Sequence, residues 1–252
     1  MTALARTIWI TGGGSGIGLA LARRWSREGA TLILSGRDEA RLQQAVEELE
    51  GPAHALPVDV TGSAPVAAAV SLIRERHGVP EMAVLNAGIY RPSTRLSAER
   101  IEAHLQTNLL GVVRCLEALL PGMRERGSGQ VILMGSPAGY LGLPGATGYG
   151  ASKAALLNLA EALWPELRRA GIDLRLVSPG FVDTPMVARN RFPMPFLMSA
   201  DEAARRIIRG LEGRAFEIAF PRRLIWPLKA LRCLPAGLRV RILNLLAGHQ
   251  RD

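Results

Sequence analysis

Thr7-Ile8-Trp9-Ile10-Thr11-Gly12-Gly13-Gly14-Ser15-Gly16-Ile17-Gly18 is the stretch that decides the fold. Thr7 to Thr11 reads as a short buried strand, and Leu19 to Glu28 has the apolar spacing of a helix. Between them stand five glycines in seven residues. Strand, glycine turn and helix in that order form the context of a dinucleotide-binding fingerprint. The glycines let the backbone turn tightly and come close to a pyrophosphate, and the helix then offers its free N–H groups to the anion.

The pattern continues outward. Strands are expected near 7–11, 31–35, 53–58, 82–86, 130–134, 172–177 and 215–219. Helices are expected near 16–28, 38–50, 63–77, 97–126, 150–170 and 200–212. Alternation of this kind, with nearly continuous apolar strands, implies a parallel sheet covered on both faces. The chain's 252 residues suit one α/β domain with a large core. The fold class is therefore α/β: a doubly wound parallel sheet of about seven strands, occupying residues 1–220, with a C-terminal helical extension over 221–252.

Further along, Tyr149 and Lys153 stand four residues apart at the start of an apolar helical run, one turn apart on one face. A phenol holds its proton to a pKa near ~10 and is a poor acid or base at neutral pH. A neighbouring ammonium favours the phenolate and moves that value toward the working range.

The four histidines (His54, His77, His104 and His249) lack metal-ligand spacing and read as surface or packing residues, with no metal site expected. Cys115 and Cys233 form no Cys-x-x-Cys pattern, which points to a reducing, cytoplasmic compartment rather than a disulfide framework, with Cys115 in the core. The N-terminus carries no signal-peptide hydrophobic region.

Taken together, these residues resemble the classical short-chain dehydrogenase/reductase family over residues 7 to about 220. The family's Thr-Gly-x-x-x-Gly-x-Gly turn is matched by Thr11 to Gly18. Its Asn-Ala-Gly motif is matched by Asn86-Ala87-Gly88, and its helix asparagine by Asn108. Its serine is matched by Ser136, which precedes Tyr149 by the family's usual interval. Its Pro-Gly and following threonine are matched by Pro179-Gly180 and Thr184. One departure is Gly135, where relatives often carry a hydroxyl residue; Pro137, just after Ser136, stiffens the loop.

The resemblance implies the strand order 3-2-1-4-5-6-7 and a catalytic set of Ser136, Tyr149, Lys153 and Asn108. Tyr149 would be the acid in reduction and the base in oxidation, with Lys153 lowering its pKa and holding the nicotinamide ribose. Ser136 would donate to the substrate oxygen, and Asn108 would hold a water for proton relay. Taken alone, Ser136 could cap a loop and Asn108 could satisfy a helix kink. Cofactor contacts are implied at Gly12, Ser15, Gly16, Ile17, Gly18, Arg37, Asp59, Val60, Asn86, Ala87, Gly88, Tyr149, Lys153, Pro179, Gly180, Val182 and Thr184. NADP is the expected cofactor. Gly36 stands where relatives that prefer NAD carry Asp, and the Arg37 guanidinium suits a 2′-phosphate. Asp38 reads as a helix N-cap, and Arg37 has a plain alternative as a solvated turn residue.

Segments Ile89 to Thr94, Pro137 to Leu143 and Phe181 to Met198 should line the substrate site. They contain Ile89, Tyr90, Leu141, Leu143, Phe181, Met186, Phe192, Met194, Phe196, Leu197 and Met198. This apolar set suggests a small hydrophobic carbonyl or alcohol, although many of these residues could instead pack a lid on the core. Arg91, Arg95, Arg189 and Arg191 are either a rim for an acidic group or solvated charges. Family helices near 97–126 and 150–170 imply a homodimer or homotetramer. A non-catalytic nucleotide-binding scaffold is the rival to the enzyme.

The extension after residue 221 is unusual. It holds Arg222, Arg223, Lys229, Arg232, Arg239, Arg241 and Arg251 against Asp252 alone, within a chain of net charge +9. Its apolar runs fall far short of the roughly 20 residues that span a bilayer. Leu238, Ile242, Leu245 and Leu246 share one helical face, broadened by Val240 and Leu243. Two readings stay open: an interfacial segment over 222–247 on an anionic membrane, or an arm packed over the substrate pocket or a neighbouring subunit. No nucleic-acid motif accompanies the charge.

Overall fold

The computed structural model describes residues 6–93, 95–188, 190 and 193–248. Its centre is a seven-stranded, all-parallel sheet. The strands are β1 (Thr7–Thr11), β2 (Thr31–Gly36), β3 (Ala53–Pro57), β4 (Met82–Leu85), β5 (Gly129–Met134), β6 (Ile172–Pro179) and, last in the chain, β9 (Glu217–Phe220). Their order is β3-β2-β1-β4-β5-β6-β9, the order the resemblance implies. β1 is central: Ile8 pairs with Leu32 on one side and Met82 on the other.

Successive side chains in a strand point to opposite faces, so each strand feeds two cores. Ile8 and Ile10 join Leu21, Trp25, Leu42 and Ile207 on one face, while Trp9 joins Ile33, Leu119, Met123 and Leu156 on the other. The first face is covered by α1 (Gly16–Arg27), α2 (Glu39–Glu47) and α7 (Ala200–Leu211). The second is covered by α3 (Ser63–His77), α5 (Gly111–Arg126) and α6 (Thr147–Arg169). Caps fix several starts: Asp38 accepts from the Arg41 amide at 3.0 Å, as expected of an N-cap, and Ser199 accepts from Glu202 at 3.1 Å.

The single helix expected over 97–126 is two. α4 (Ala98–Leu105) and α5 are joined by a widened π turn at Gln106–Leu110, and Asn108 in that turn is 0% exposed. Apolar spacing alone carried no trace of this change of phase. A short parallel pair, β7 (Val182–Asp183) and β8 (Met198–Ser199), was also not anticipated.

The extension forms α8 (Arg222–Arg232) and α9 (Ala236–Gly248). Ile225 and Leu243 are buried and join the same core as Trp9. The expected face of α9 is corrected: Leu243 turns inward, Leu238 and Leu245 are exposed, and Ile242 lies between. The side chain of Leu246, with Thr94, Arg189, Arg191, Phe192, His249, Arg251 and Asp252, lies outside the described residues. No described helix is long and apolar enough to cross a membrane.

Candidate active site

All seven strands are parallel, so their C-terminal ends share one edge, and the motif residues collect there. The turn after β1 is held by Asn86. Its side-chain amide donates to the carbonyls of Thr11 (3.1 Å) and Gly12 (3.0 Å), and the Thr11 hydroxyl accepts from the amides of Asn86 and Ala87. Asn86 thus spends both amide hydrogens shaping the turn. A Cβ on Gly18 would stand 2.3 Å from the Gly12 carbonyl oxygen, and one on Gly12 would stand 2.8 Å from Nδ2 of Asn86. Gly16, at φ +54, backs onto Thr184. Ser15 makes no side-chain cap and α1 has no acidic residue in its first turn, so nothing there competes with an anion.

Arg37 is exposed at the end of β2, while Asp38 is turned away to cap α2. Asp59 accepts from the amide and hydroxyl of Thr61 at 2.9 and 2.8 Å. Desolvation pushes its carboxyl up, but the Thr61 bonds and the charges of Arg37 and Arg114 together hold it below its ordinary value. Val60 is buried against Gly111. A backbone cradle that any Cβ would fill, a helix start open to an anion and a guanidinium at the end of β2 fit a nicotinamide dinucleotide.

The second half of the site lies after β5. Ser136 is the N-cap of a single 3-10 turn (Pro137–Gly139), and its hydroxyl accepts from the Ala138 amide at 3.2 Å. That turn lies directly on α6. A Cβ on Gly139 would stand 2.8 Å from the Lys153 backbone, and one on Gly150 would stand 3.2 Å from the Ala138 carbonyl oxygen. The close approach sets Ser136 beside Tyr149, where its hydroxyl favours the phenolate. The departure at Gly135 has a packing cause: a Cβ there would stand 3.0 Å from Leu176 and 3.1 Å from the Val177 carbonyl oxygen.

Burial pushes the Tyr149 phenol above its ordinary value; the Ser136 hydrogen bond opposes this and Tyr90 adds to it. The expected lowering by Lys153 is not the governing effect here. Lys153, 6% exposed, donates Nζ to the Met134 carbonyl at 2.6 Å and stands 5.7 Å from the Tyr149 ring centroid. Burial lowers the Lys153 amine from 10.5 to about 8. The unfolded chain therefore holds this proton more tightly. Burying the charged amine costs stability below pH 8, and the cost fades as the pH rises to 10.5.

Asn108 accepts from the Ile89 amide at 2.8 Å and donates to the Ile89 carbonyl (3.0 Å) and to Ser152 (3.1 Å). Ser152 in turn donates to the Tyr149 carbonyl at 2.7 Å. The Asn108 side chain is thus a clamp between the loop after β4 and the start of α6. One turn earlier, His104 bonds the Arg100 carbonyl through Nδ1 and accepts from the Arg91 amide through Nε2 at 3.1 Å, which fixes its neutral tautomer. Tyr90, held between these anchors, packs edge-on against Tyr149 with centroids 4.9 Å apart, and His104 lies at 6.3 Å. From sequence alone His104 reads as a surface or packing residue. Its spacing of four from Asn108 was the available signal that both share a face.

The expected substrate-lining set divides. Leu141 and Leu143 belong to the core or pack on it, whereas Met186, Phe196 and Leu197 are exposed. Missed altogether was Glu217. Its carboxylate accepts from Tyr140, from Ser178 at 2.6 Å and from Lys229 of α8 at 2.5 Å. Desolvation pushes that carboxyl up, but these three bonds outweigh it and hold it below its ordinary value. Gly180 closes the same corner, its amide donating to the Phe220 carbonyl at 2.7 Å. Among the described residues no group of three metal-ligating side chains forms.

Comparison with known proteins points to one family. The family model described as short chain dehydrogenase matches residues 6–193. A Myxococcus xanthus (strain DK1622) protein named uncharacterized oxidoreductase is 33% identical over 235 residues, covering 91% of this chain and 93% of its own. A short-chain dehydrogenase from Sphingobium yanoikuyae, solved in complex with NADPH, has TM-score 0.79 and 29% identity, covering 95% of each chain. A short chain dehydrogenase/reductase from Burkholderia phymatum, solved in complex with NAD, shares the fold at TM-score 0.83 and 24% identity, covering 89% of this chain and 92% of its own.

Proposed function

Because the chain belongs to the short-chain dehydrogenase family, we propose that it is an NADP(H)-dependent oxidoreductase that reduces a hydrophobic ketone or aldehyde, or runs the reverse oxidation. One observation carries this reading: Lys153 Nζ lies 5.7 Å from the Tyr149 ring centroid, and the turn that starts at Ser136 packs directly on this part of α6, at the edge that holds the glycine cradle. The cofactor, when bound, supplies or receives the hydride. The chain's residues do the rest. Ser136 donates to the substrate oxygen and stabilises the charge that grows there. Tyr149, protonated at neutral pH, delivers the proton to that oxygen in reduction and takes it back in oxidation. Lys153, with an amine near pH 8, is suited to holding the nicotinamide ribose hydroxyls and exchanging protons near neutrality. Asn108 sets the start of α6 and, in this reading, borders the proton path.

NADP is favoured over NAD by three features. Gly36 brings no carboxylate to the end of β2, Asp38 is committed to its cap, and Arg37 is left facing solvent. Residues 1–220 then form the catalytic unit and 221–252 an arm upon it, in a cytoplasmic homodimer or homotetramer with a peripheral membrane contact through 222–247. The rival reading, a non-catalytic nucleotide-binding scaffold, gives no reason for Ser136, Tyr149 and Lys153 to gather at that edge. Titration with NADPH and NADH, followed by nicotinamide fluorescence, is the direct test. NADPH should bind more tightly, and Arg37→Asp should reverse the order. Tighter NADH binding by the unaltered protein would remove the NADP assignment, and binding of neither would favour the scaffold.

A further inference from the structure

From the placement of the arm we infer that α8 and α9 form a docking surface for an anionic lipid bilayer, which turns the catalytic edge of the sheet toward the membrane. The arm is one-sided. Inward, Ile225 is buried, Leu228 and Leu231 pack on the core, and Lys229 is bound to Glu217. Outward, Trp226 is 66% exposed, with Arg222 and Arg223 exposed four and three residues before it, on the same side of the helix. In α9 the exposed residues include Leu238 (49%), Val240 (62%) and Arg241.

Residues 222–248 carry six basic side chains and no acidic one. That composition selects the occupant. A second copy of the chain meeting this face across a two-fold axis would set arginine against arginine. A bilayer surface rich in acidic headgroups instead neutralises the arginines and takes Trp226 and Leu238 into its interface. Tryptophan favours that depth, its ring among acyl chains and its N–H near the headgroups.

The orientation follows from the sheet. α8 begins two residues after Phe220, the last residue of β9, and so leaves from the edge that bears Gly12, Asn86, Ser136 and Pro179. Through Glu217, Lys229 also braces Tyr140, four residues beyond Ser136. Resting on the oxidoreductase reading, the consequence for substrate is a lipid-soluble carbonyl that enters from the bilayer.

The test is flotation of the full-length protein with vesicles of phosphatidylcholine alone and of phosphatidylcholine with phosphatidylglycerol. The protein should float with the acidic vesicles only, and less so as salt rises. Arg222→Glu with Arg223→Glu should lower the partition at least about tenfold. Trp226→Ala should lower it several-fold, with melting temperature and NADPH binding unchanged in both variants. Equal flotation with the two vesicle types, or none with either, would overturn the proposal. So would loss of a self-associated species in Trp226→Ala without any vesicle binding, which would make the face a contact between copies. Retention by duplex DNA in place of acidic vesicles would overturn it equally. Vesicle binding is read without turnover, so failure of the oxidoreductase reading shows separately, as absent nicotinamide binding.

Discussion

Around Gly12 the edge of the sheet is held by close backbone packing and one side-chain clamp: Gly18 abuts the Gly12 carbonyl, and the Asn86 side-chain amide reaches the carbonyls of Thr11 and Gly12. Around Glu217, farther along the same edge, it is held by side chains from separate segments, with Tyr140, Ser178 and Lys229 converging on one carboxylate. The first region has one steric solution and admits no larger residue. The second is a polar cluster in which three side chains share one carboxylate. Between the two stand Ser136, Tyr149 and Lys153, which draw on both: a glycine-tight turn on α6 below, and aromatic and amide clamps from Tyr90, His104 and Asn108 at the side.

Substitutions in each region should separate these modes. The largest effect belongs to the centre. Tyr149→Phe removes the proton donor while leaving both flanks in place, and should lower kcat by about 10³-fold or more with NADPH affinity nearly unchanged. Steady-state rates beside fluorescence titration would check this, and loss of cofactor binding would show that Tyr149 belongs to the cradle instead. Next comes the backbone-held region. Gly18→Ala forces a methyl into the Gly12 carbonyl oxygen and should destabilise the fold by about 3 kcal/mol, with NADPH binding weakened, as read by urea denaturation and titration. A melting curve like that of the unaltered protein would mean the turn can yield.

The smallest effect is expected in the side-chain cluster. Glu217→Gln keeps the shape but loses the charge that Lys229 faces, and should cost about 1–2 kcal/mol at neutral pH. The folded carboxyl lies below its unfolded value of 4.5, so its contribution is present above pH 4.5 and is lost as the pH falls through the folded value. Stability curves of the two proteins should therefore differ at pH 7 and converge in acid. Parallel curves at every pH would show that Glu217 acts by shape alone.

This contrast also explains what could be read from the chain. The glycine turn, the strands and the Tyr149–Lys153 pair are local: each requirement falls within a few residues, and a parallel sheet fixes where they meet. The cap at Asp38 is equally local. Glu217 was illegible because its partners lie 77, 39 and 12 residues away, with no pattern joining them. Asn86 was read by its motif as a cofactor contact, and only the geometry shows its amide turned back on Thr11 and Gly12. Leu141 and Leu143 looked like pocket lining because apolar content does not say which way a loop residue turns, and both serve the core.

The widened turn at Gln106–Leu110 has one more effect. Five residues there do the work of about four, so α4 and α5 lie on one path but keep different rotational origins. Counting along the chain from Ala98 to Arg126 as if on one wheel assigns every residue past Leu110 to a face about 100° from its own. Laid against an unbroken helix, this segment can be in step at its beginning or at its end, never at both. Loss of a single residue within the turn would restore one continuous helix and swing Asn108 off the loop it holds.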